Sequence, residues 1–218
     1  MPTIAAFFDL DGTLIAANSA MLWARHERRH GNIARKQLAR AGLWSLLYRL
    51  SLIDIESAYS EATRHYRGQR FEDLQRRTET WFVAEVESRL RLQAQSAMDE
   101  HRRHGHPLVL LTSSSCFEAT VAARVWAFDD WIANRFPTDD AGELDGTYER
   151  PLCYGVGKVT LAQRWAREHG VDLDRSFFYS DSYSDLPMLE RVGQPRVVAP
   201  DPRLRAAALF RGWPLLHW

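Results

Sequence analysis

Two aspartates separated by a single residue lie near the start of the chain, where Asp9 and Asp11 follow a short apolar run and precede Gly12. Paired carboxylates can divide the work of phosphoryl transfer. One attacks the phosphorus atom, while the other gives the leaving oxygen its proton and later activates water. We therefore predict that Asp9 is the nucleophile and that Asp11 is the general acid and base.

A phosphate substrate also needs donors and positive charge around its oxygens. Thr112 and Ser113 end another apolar run and offer hydroxyl and backbone donors. Lys158, one of only two lysines in the chain, offers a compact positive charge. Gly12 would let the backbone approach the phosphate closely. We predict that these four residues bind the substrate phosphate.

Acids this close to an anionic substrate would repel it unless a cation lay between them. Mg²⁺ is a hard ion that prefers carboxylate, carbonyl and phosphate oxygens. Asp181 and Asp185 form a second acidic pair that could complete such a site. The sequence therefore predicts a Mg²⁺ site at which these two acids join Asp9 and Asp11.

These residues follow elements that alternate between strand and helix. Apolar runs at residues 4–8, 107–111, 176–180 and 196–199 predict buried strands, and residues 117–127, 158–169 and 186–191 predict helices. Such alternation favours a parallel sheet covered on both faces, with ligands beyond the carboxyl ends of its strands. Residues 132–150 alternate around Asp140-Ala141-Gly142 and predict a hairpin.

Residues 16–98 have a different composition, without proline and rich in Ala, Leu, Arg and Glu. Leu43, Leu46, Leu47 and Leu50 have the spacing of one helix face. We predict a helical insertion here. The apolar run from Leu43 to Ile55 could face lipid, but packing within the insertion is the commoner explanation.

The overall composition excludes several classes of protein. The formal net charge is zero, which disfavours a nucleic-acid partner. No apolar run approaches the roughly 18 residues of a membrane span, and the first residues do not resemble a signal peptide. Cys116 and Cys153 lack metal or redox spacing and are compatible with a reducing cytoplasm, which is the location we expect. The sequence carries no signal for an oligomeric state.

Four motifs in order resemble those of the haloacid dehalogenase superfamily of phosphohydrolases. They are Asp9-Leu10-Asp11-Gly12-Thr13, an apolar strand ending at Thr112, Lys158, and Asp181 with Asp185. The resemblance covers nearly the whole chain and is strongest to the phosphoserine phosphatase-like branch. It implies a Rossmann-like α/β/α core at residues 1–15 and 96–218, a helical cap at residues 16–95, and a phospho-aspartate intermediate on Asp9. It also implies Mg²⁺ with Asp9, Asp11 and Asp181 as its ligands, and Asp185 as the acid that orients the ligand Asp181. The implied enzyme is a phosphatase that hydrolyses a small organic phosphate monoester.

The chain departs from the phosphoserine phosphatases at three points. Thr112-Ser113-Ser114 replaces the Ser-Gly-Gly that is usual there, and Ser180 replaces the glycine that usually precedes the fourth motif. No acid follows the first motif before Glu27, where those enzymes hold the substrate amine. These departures disfavour phosphoserine. Histidinol phosphate and other phosphorylated amino alcohols, small metabolites and lysophospholipid head groups all stay open.

Two alternative functions are possible. His26, Glu27 and His30 match the His-Glu-x-x-His pattern of zinc peptidases, with Glu56 or Glu61 as a third ligand. An exposed helix with polar residues four apart explains the pattern better. A non-catalytic phosphate-binding protein is the other alternative, although all four motifs are chemically complete. His101, His104 and His106 also cluster, and we expect them to decorate a helix C-terminus as favourable positive charges.

Overall fold

One parallel sheet holds the six named strands of the computed structural model, which describes residues 3–49 and 55–218. The strand order is β3-β2-β1-β4-β5-β6, and every neighbouring pair is parallel. The strands are β1 (Ala6–Phe8), β2 (Leu108–Ser115), β3 (Asp130–Asn134), β4 (Phe177–Ser180), β5 (Gln194–Val198) and β6 (Leu215–Leu216).

Nine α-helices surround the sheet in the described part of the chain. Two short 3-10 helices, Glu87–Arg89 and Tyr183–Asp185, lie between them. The α-helices are α1 (Ser19–Arg29), α2 (Arg35–Arg49), α3 (Ile55–Tyr66), α4 (Phe71–Glu85), α5 (Leu92–Arg103), α6 (Cys116–Val125), α7 (Val156–Glu168), α8 (Leu186–Arg191) and α9 (Pro202–Arg211).

The side chains of β1 show how the layers form. Ala6 and Phe8 join a buried cluster with residues of α5 and α6, whereas Phe7 joins another cluster with residues of α7, α8 and α9. A strand that is buried on both faces must be apolar throughout, which explains the continuous apolar run. The predicted three-layer α/β/α core with a parallel sheet is confirmed.

Helices α1 to α5 lie between the first two strands, where the composition of residues 16–98 predicts a helical insertion, and we call α1 to α4 the insertion. Trp81 and Phe82 of α4 are fully buried and belong to the same cluster as Phe8, so the insertion is packed against the core. The division into a core and a cap at residues 16–95 stays a prediction. None of the helices in the described part combines the length and the apolar character that a membrane span needs.

The predicted leucine face lies largely outside the described residues. Leu50 is not described, and neither are the side chains of Leu46 and Leu47. Leu43 lies on α2 with its side chain 55 % exposed. The run to Ile55 that could face lipid is likewise mostly outside the described part.

Three sequence predictions differ from the structure. The predicted hairpin at residues 132–150 is wrong at its start, because Asp130–Asn134 is β3, a parallel strand paired with β2. The antiparallel pairing in the rest of this described segment consists of isolated bridges, one between Thr138 and Leu144 around a turn and one between Glu143 and Arg70 of the insertion. Alternating residues do not reveal which neighbour a strand pairs with. The prediction also stopped before α9 and β6.

The histidine cluster also differs from its prediction. His101 and His104 do end α5, but His101 is buried, and its ring contacts Tyr179 Oη and His106 Nδ1, each at 2.9 Å. Burial, with the neighbouring charge of His106, lowers the pKa of His101 to about 4. This histidine is therefore neutral in the folded protein at pH 7 and contributes no positive charge to the helix end.

Candidate active site

The predicted site residues meet at the carboxyl ends of three neighbouring strands. Asp9 follows β1 and Asp181 follows β4, while Thr112 lies in the second half of β2. Because β1 pairs with β2 on one side and with β4 on the other, these positions are adjacent at one edge of the sheet. The topology therefore brings together three segments that are far apart in the sequence.

The turn after Asp11 lies directly against Asp181. Gly12 has a φ angle of +78°, and a Cβ atom built there would lie 2.0 Å from Asp181 Oδ2. Thr13 Oγ1 donates a hydrogen bond to Asp181 Oδ1 at 3.3 Å. The close approach of the first and fourth motifs therefore depends on the missing side chain at position 12.

Lys158 forms the buried centre of the site. Its Nζ atom donates to Asp9 Oδ1 and to Asp185 Oδ2, both at 2.8 Å, and its side chain is fully buried. Ser180 Oγ also donates to Asp185 Oδ2, at 2.7 Å. The other carboxylate oxygen of Asp185 is buried and has no hydrogen-bond partner among the described residues.

Burial dominates the electrostatics of the acids. It raises the pKa of Asp9 to about 7, although the adjacent Lys158 cation opposes this effect. The pKa of Asp181 is raised well above its ordinary value by burial and by the charges of Asp9 and Asp185. Keeping both Asp9 and Asp181 ionised would therefore require more positive charge than Lys158 supplies.

Asp11 has different surroundings from Asp9. Its carboxylate accepts hydrogen bonds from Ser19, from the backbone N–H at 2.8 Å and from the hydroxyl at 3.0 Å. Burial raises the pKa of Asp11 to about 6, and the two bonds from Ser19 oppose that shift. The two aspartates of the first motif thus face different partners, as two separate roles require.

The carboxylates of Asp9 and Asp181 suit a hard cation whose other coordination positions are filled by oxygens of water or phosphate. No three His, Cys, Asp or Glu side chains of the described part converge on one metal position. Mg²⁺ commonly binds through one or two carboxylates together with phosphate and water oxygens. The excess of buried acid and the unpartnered oxygen of Asp185 therefore fit an ion at this position.

The segment after Thr112 is held by the core and by the insertion. The Ser113 carbonyl accepts from Asn134 Nδ2 at 2.8 Å and from the Tyr59 hydroxyl of α3. Asn134 Oδ1 accepts from Cys153 N at 2.8 Å, which also fixes the chain before α7. Thr112 Oγ1 accepts from Ser114 N at 3.1 Å. Asn134 thus ties the segment of the second motif to that of the third.

A cavity of about 340 Å³ lies beside Asp9 and Asp11. It is within the size range of sites for small ligands. Side chains of both the insertion and the core line it. Its aromatic lining consists of Trp23, Tyr59, Tyr66, Trp81, Phe117 and Phe136.

Sequence reasoning missed several residues of this site, most notably Ser19, Asn134 and Glu118. Glu118 is buried, lines the cavity and lies in the first turn of α6. The spacing Ser115-x-x-Glu118 is that of a helix capping box, so the sequence signal would have suggested a structural role. Only the structure shows that this carboxylate lines the cavity beside Asp11.

The zinc-peptidase alternative has no metal site in the part that the structure describes. His26 Nδ1 contacts Glu85 Oε1 at 2.8 Å, and His30 Nδ1 bonds to the His26 carbonyl at 2.9 Å. Glu27 is buried and accepts from Asn32 Nδ2. The two candidate third ligands, Glu56 and Glu61, pair with Arg150 and Arg40. The pattern therefore belongs to a helix end and its ion pairs.

Comparison with known proteins identifies the family. The model of the haloacid dehalogenase-like hydrolases matches residues 6–190. The chain belongs to this family. It is 31 % identical to the inhibition of morphological differentiation protein of Streptomyces azureus over all of its own length and 79 % of that protein. It is 26 % identical to a histidinol-phosphatase of Neisseria meningitidis, over 98 % of both chains.

Two solved structures extend the comparison. A protein of unknown function from Bordetella pertussis superimposes with a TM-score of 0.89 at 27 % identity, over 99 % of both chains. A substrate-bound phosphoserine phosphatase superimposes with a TM-score of 0.70 at 15 % identity, over 94 % of this chain and 90 % of that one, which supports the fold alone. The predicted family, its phosphoserine phosphatase-like branch and the enzyme class are confirmed. The protein is a phosphatase that hydrolyses phosphate monoesters.

Proposed function

We propose that Asp9 is the nucleophile of this phosphatase, that Asp11 is its general acid and base, and that Mg²⁺ is its cofactor. The observation that carries the proposal is the buried contact of Lys158 with both Asp9 and Asp185, beside a cavity that Asp9 and Asp11 line. Lys158 holds the Asp9 carboxylate in one orientation and lowers the energy of its charged form.

The proposed reaction has two steps. Asp9 attacks the phosphorus atom and forms a phospho-aspartate, while the bond to the ester oxygen breaks and Asp11 gives that oxygen its proton. Water then attacks the phosphorus atom of the phospho-aspartate, and Asp11 takes a proton from that water. The bond between phosphorus and Asp9 breaks, so that inorganic phosphate is released and Asp9 is again a free carboxylate. The pKa of about 6 at Asp11 suits a group that both gives and accepts a proton near neutral pH.

Asp9, Asp181 and the Asp11 backbone carbonyl are the proposed ligands of Mg²⁺. The bound ion would neutralise negative charge on the phosphate and on the surrounding carboxylates. Gly12, Thr112, Ser113 and Lys158 are the proposed phosphate-binding residues. Asp185 is buried against Lys158 and Ser180, which supports its proposed role in orienting the other groups.

The substrate is proposed to be a small organic phosphate whose alcohol part fits the aromatic cavity. One relative is a histidinol-phosphatase, which supports a phosphorylated amino alcohol among the open classes. We also propose that α1 to α4 act as a cap, since Trp23 and Trp81 of the insertion line the cavity together with core residues. The two free, buried thiols support a cytoplasmic location.

Hydrolysis of p-nitrophenyl phosphate with Mg²⁺ tests the proposal. We expect Asp9→Asn to lower kcat by at least about 10³-fold, because an amide cannot form the phospho-enzyme. Asp140→Asn makes the same change on an exposed aspartate and should keep wild-type activity. Removal of Mg²⁺ by EDTA should abolish turnover, and added Mg²⁺ should restore it. Wild-type rates in the Asp9→Asn variant would overturn the assignment.

A further inference from the structure

Glu118 has an unpartnered carboxylate oxygen beside the cavity. The residue is 6 % exposed, and its Oε1 atom is buried without a hydrogen-bond partner among the described residues. The hydroxyls of Ser19 and Ser114 interact with the carboxyl group. Burial, with the neighbouring charge of Asp11, raises the pKa of Glu118 to about 8, so the group holds a proton while the cavity is empty. A buried carboxylate is costly without a partner, and a cation beside it would favour the ionised form. The partner of this oxygen is therefore to be sought among molecules that enter the cavity.

The charges around the cavity indicate which kind of partner this is. The acids Asp9, Asp11 and Glu118 line it, and no lysine or arginine occurs among its described lining residues. Lys158 is engaged by Asp9 and Asp185 at the phosphate end. A substrate group that enters the cavity therefore meets acids at one side, together with six aromatic side chains and several serine and threonine hydroxyls. Such a pocket favours a cation with an apolar body.

The position of Glu118 relative to Asp11 limits where the cation lies on the substrate. Ser19 Oγ donates to Asp11 Oδ2 at 3.0 Å and lies 3.4 Å from Ser114 Oγ, and both serines interact with Glu118. Asp11 is the group proposed to protonate the ester oxygen. A cationic group of the substrate that is bound by Glu118 would thus lie only a few covalent bonds from the ester oxygen of the same substrate.

The helix position alone does not account for Glu118. An acid in the first turn of α6 is favoured by the helix dipole, and Ser115 Oγ caps the Glu118 N–H at 3.3 Å. Both effects would also be available to an exposed side chain. They do not explain a buried carboxylate with an unpartnered oxygen beside an aromatic cavity.

We propose that Glu118 binds an ammonium group of the substrate, so that the enzyme acts on the phosphate ester of an amino alcohol with an aromatic or apolar body. This inference rests on the proposed function and adds the substrate group that its pocket selects. Glu118 on α6 is then a specificity-determining residue of the cavity, in a chain that has no acid between the first motif and Glu27.

Three matched phosphate monoesters test the inference on the wild-type enzyme with Mg²⁺. They are 2-amino-3-phenylpropyl phosphate, its 2-hydroxy analogue and 3-phenylpropyl phosphate, which differ only at the carbon next to the ester-bearing carbon. We expect kcat/KM for the amine to exceed that of both others by about 30-fold or more, because a buried charge pair would be lost. A difference below about threefold, or equal rates for the amine and the hydroxyl compound, would overturn the inference.

The Glu118→Gln variant tests the residue itself. We expect it to lower kcat/KM for the amine by about 30-fold or more and to change that for 3-phenylpropyl phosphate by less than about threefold. Glu168→Gln, an exposed position on α7, is the matched control and should change neither. An equal loss for both substrates would mean that Glu118 is not specific for the amine and would refute the inference.

The same series separates this inference from the proposed function. If wild-type enzyme hydrolyses p-nitrophenyl phosphate but shows no preference for the amine, the inference fails and the phosphatase mechanism stands. If Asp9→Asn keeps full activity, the proposed mechanism is wrong, and the inference, which rests on it, is then wrong as well. If Glu118→Gln does not fold, as judged by urea unfolding, the wild-type ratios alone still decide.

Discussion

Replacing Gly12 by alanine tests whether the contact between the first and fourth motifs is needed for catalysis. The new Cβ atom would lie 2.0 Å from Asp181 Oδ2 and 2.4 Å from its Cγ atom, whereas real Cβ atoms essentially never approach another heavy atom within 3.0 Å. Asp181 must therefore move by about 1 Å or more, since its side chain can shift more easily than the backbone on either side.

The cost divides into two parts that can be measured separately. Holding alanine at a φ of +78° costs about 1–2 kcal/mol of folding free energy. Displacing a short carboxylate adds little to this cost. Catalysis is more sensitive, because a misplacement of about 1 Å at a reacting centre can lower the rate by about 10²-fold. We therefore expect a modest loss of stability and a large loss of activity.

Gly105→Ala is the matched control. Gly105 has a φ of +70°, and a Cβ atom there would have no neighbour within 4 Å. Urea unfolding should show similar losses of about 1–2 kcal/mol for both variants. Hydrolysis of p-nitrophenyl phosphate over a range of Mg²⁺ concentrations should show a loss of about 10²-fold in kcat/KM for Gly12→Ala alone. Activities of the two variants within about threefold of each other would refute the reasoning.

Two further predictions concern buried polar groups. We expect Asn134→Ala to lower the free energy of unfolding in urea by about 3 kcal/mol, because it removes bonds to Ser113 O and from Cys153 N and leaves that N–H buried; a loss under about 1 kcal/mol would contradict this. The pKa of His101 is lowered from 6.5 to about 4, so only the unfolded chain takes up a proton there as the pH falls from 6.5 to 4. The free energy of unfolding of the wild type minus that of His101→Gln should thus decrease by about 2 kcal/mol between pH 7.5 and 4.5, after allowance for screening. If urea unfolding gives the same difference at both pH values, His101 is not neutral in the folded protein.

The positions of the acids could be predicted because each acid directly follows a predicted strand. An apolar run that ends in acid identifies the end of a buried parallel strand, and the topology of such sheets places ligands there. Asp9 and Asp181 follow β1 and β4 as that rule requires. The hydrogen bond between Thr13 and Asp181 also lies at these strand ends, so the first and fourth motifs were sufficient to predict that these two segments meet.

Residues whose partners lie on other elements could not be predicted in this way. Asn134 bonds to a strand neighbour, to a loop and to Tyr59 of the insertion, and no spacing in the sequence connects these segments. Its strand was also mistaken for part of a hairpin. Pairing partners depend on the whole sheet, whereas a sequence window shows only the alternation of one strand.

The substrate class could not be predicted from the sequence for a related reason. Glu118 reads in sequence as a helix-capping acid, and its link to the reacting groups runs through Ser19, which is 99 positions earlier in the chain. The two ends of the cavity then differ in how negative charge is balanced. At Asp9 the protein supplies Lys158 from within the fold. At Glu118 the described residues supply no cation, so a substrate with phosphate at one end and ammonium at the other would match both ends at once. Because burial raises the pKa of Glu118 to about 8, the acid can hold a proton when a phosphate ester without the amine is bound. Such an ester would then lack the ion pair with Glu118, and the preference for the amine would come from that pair.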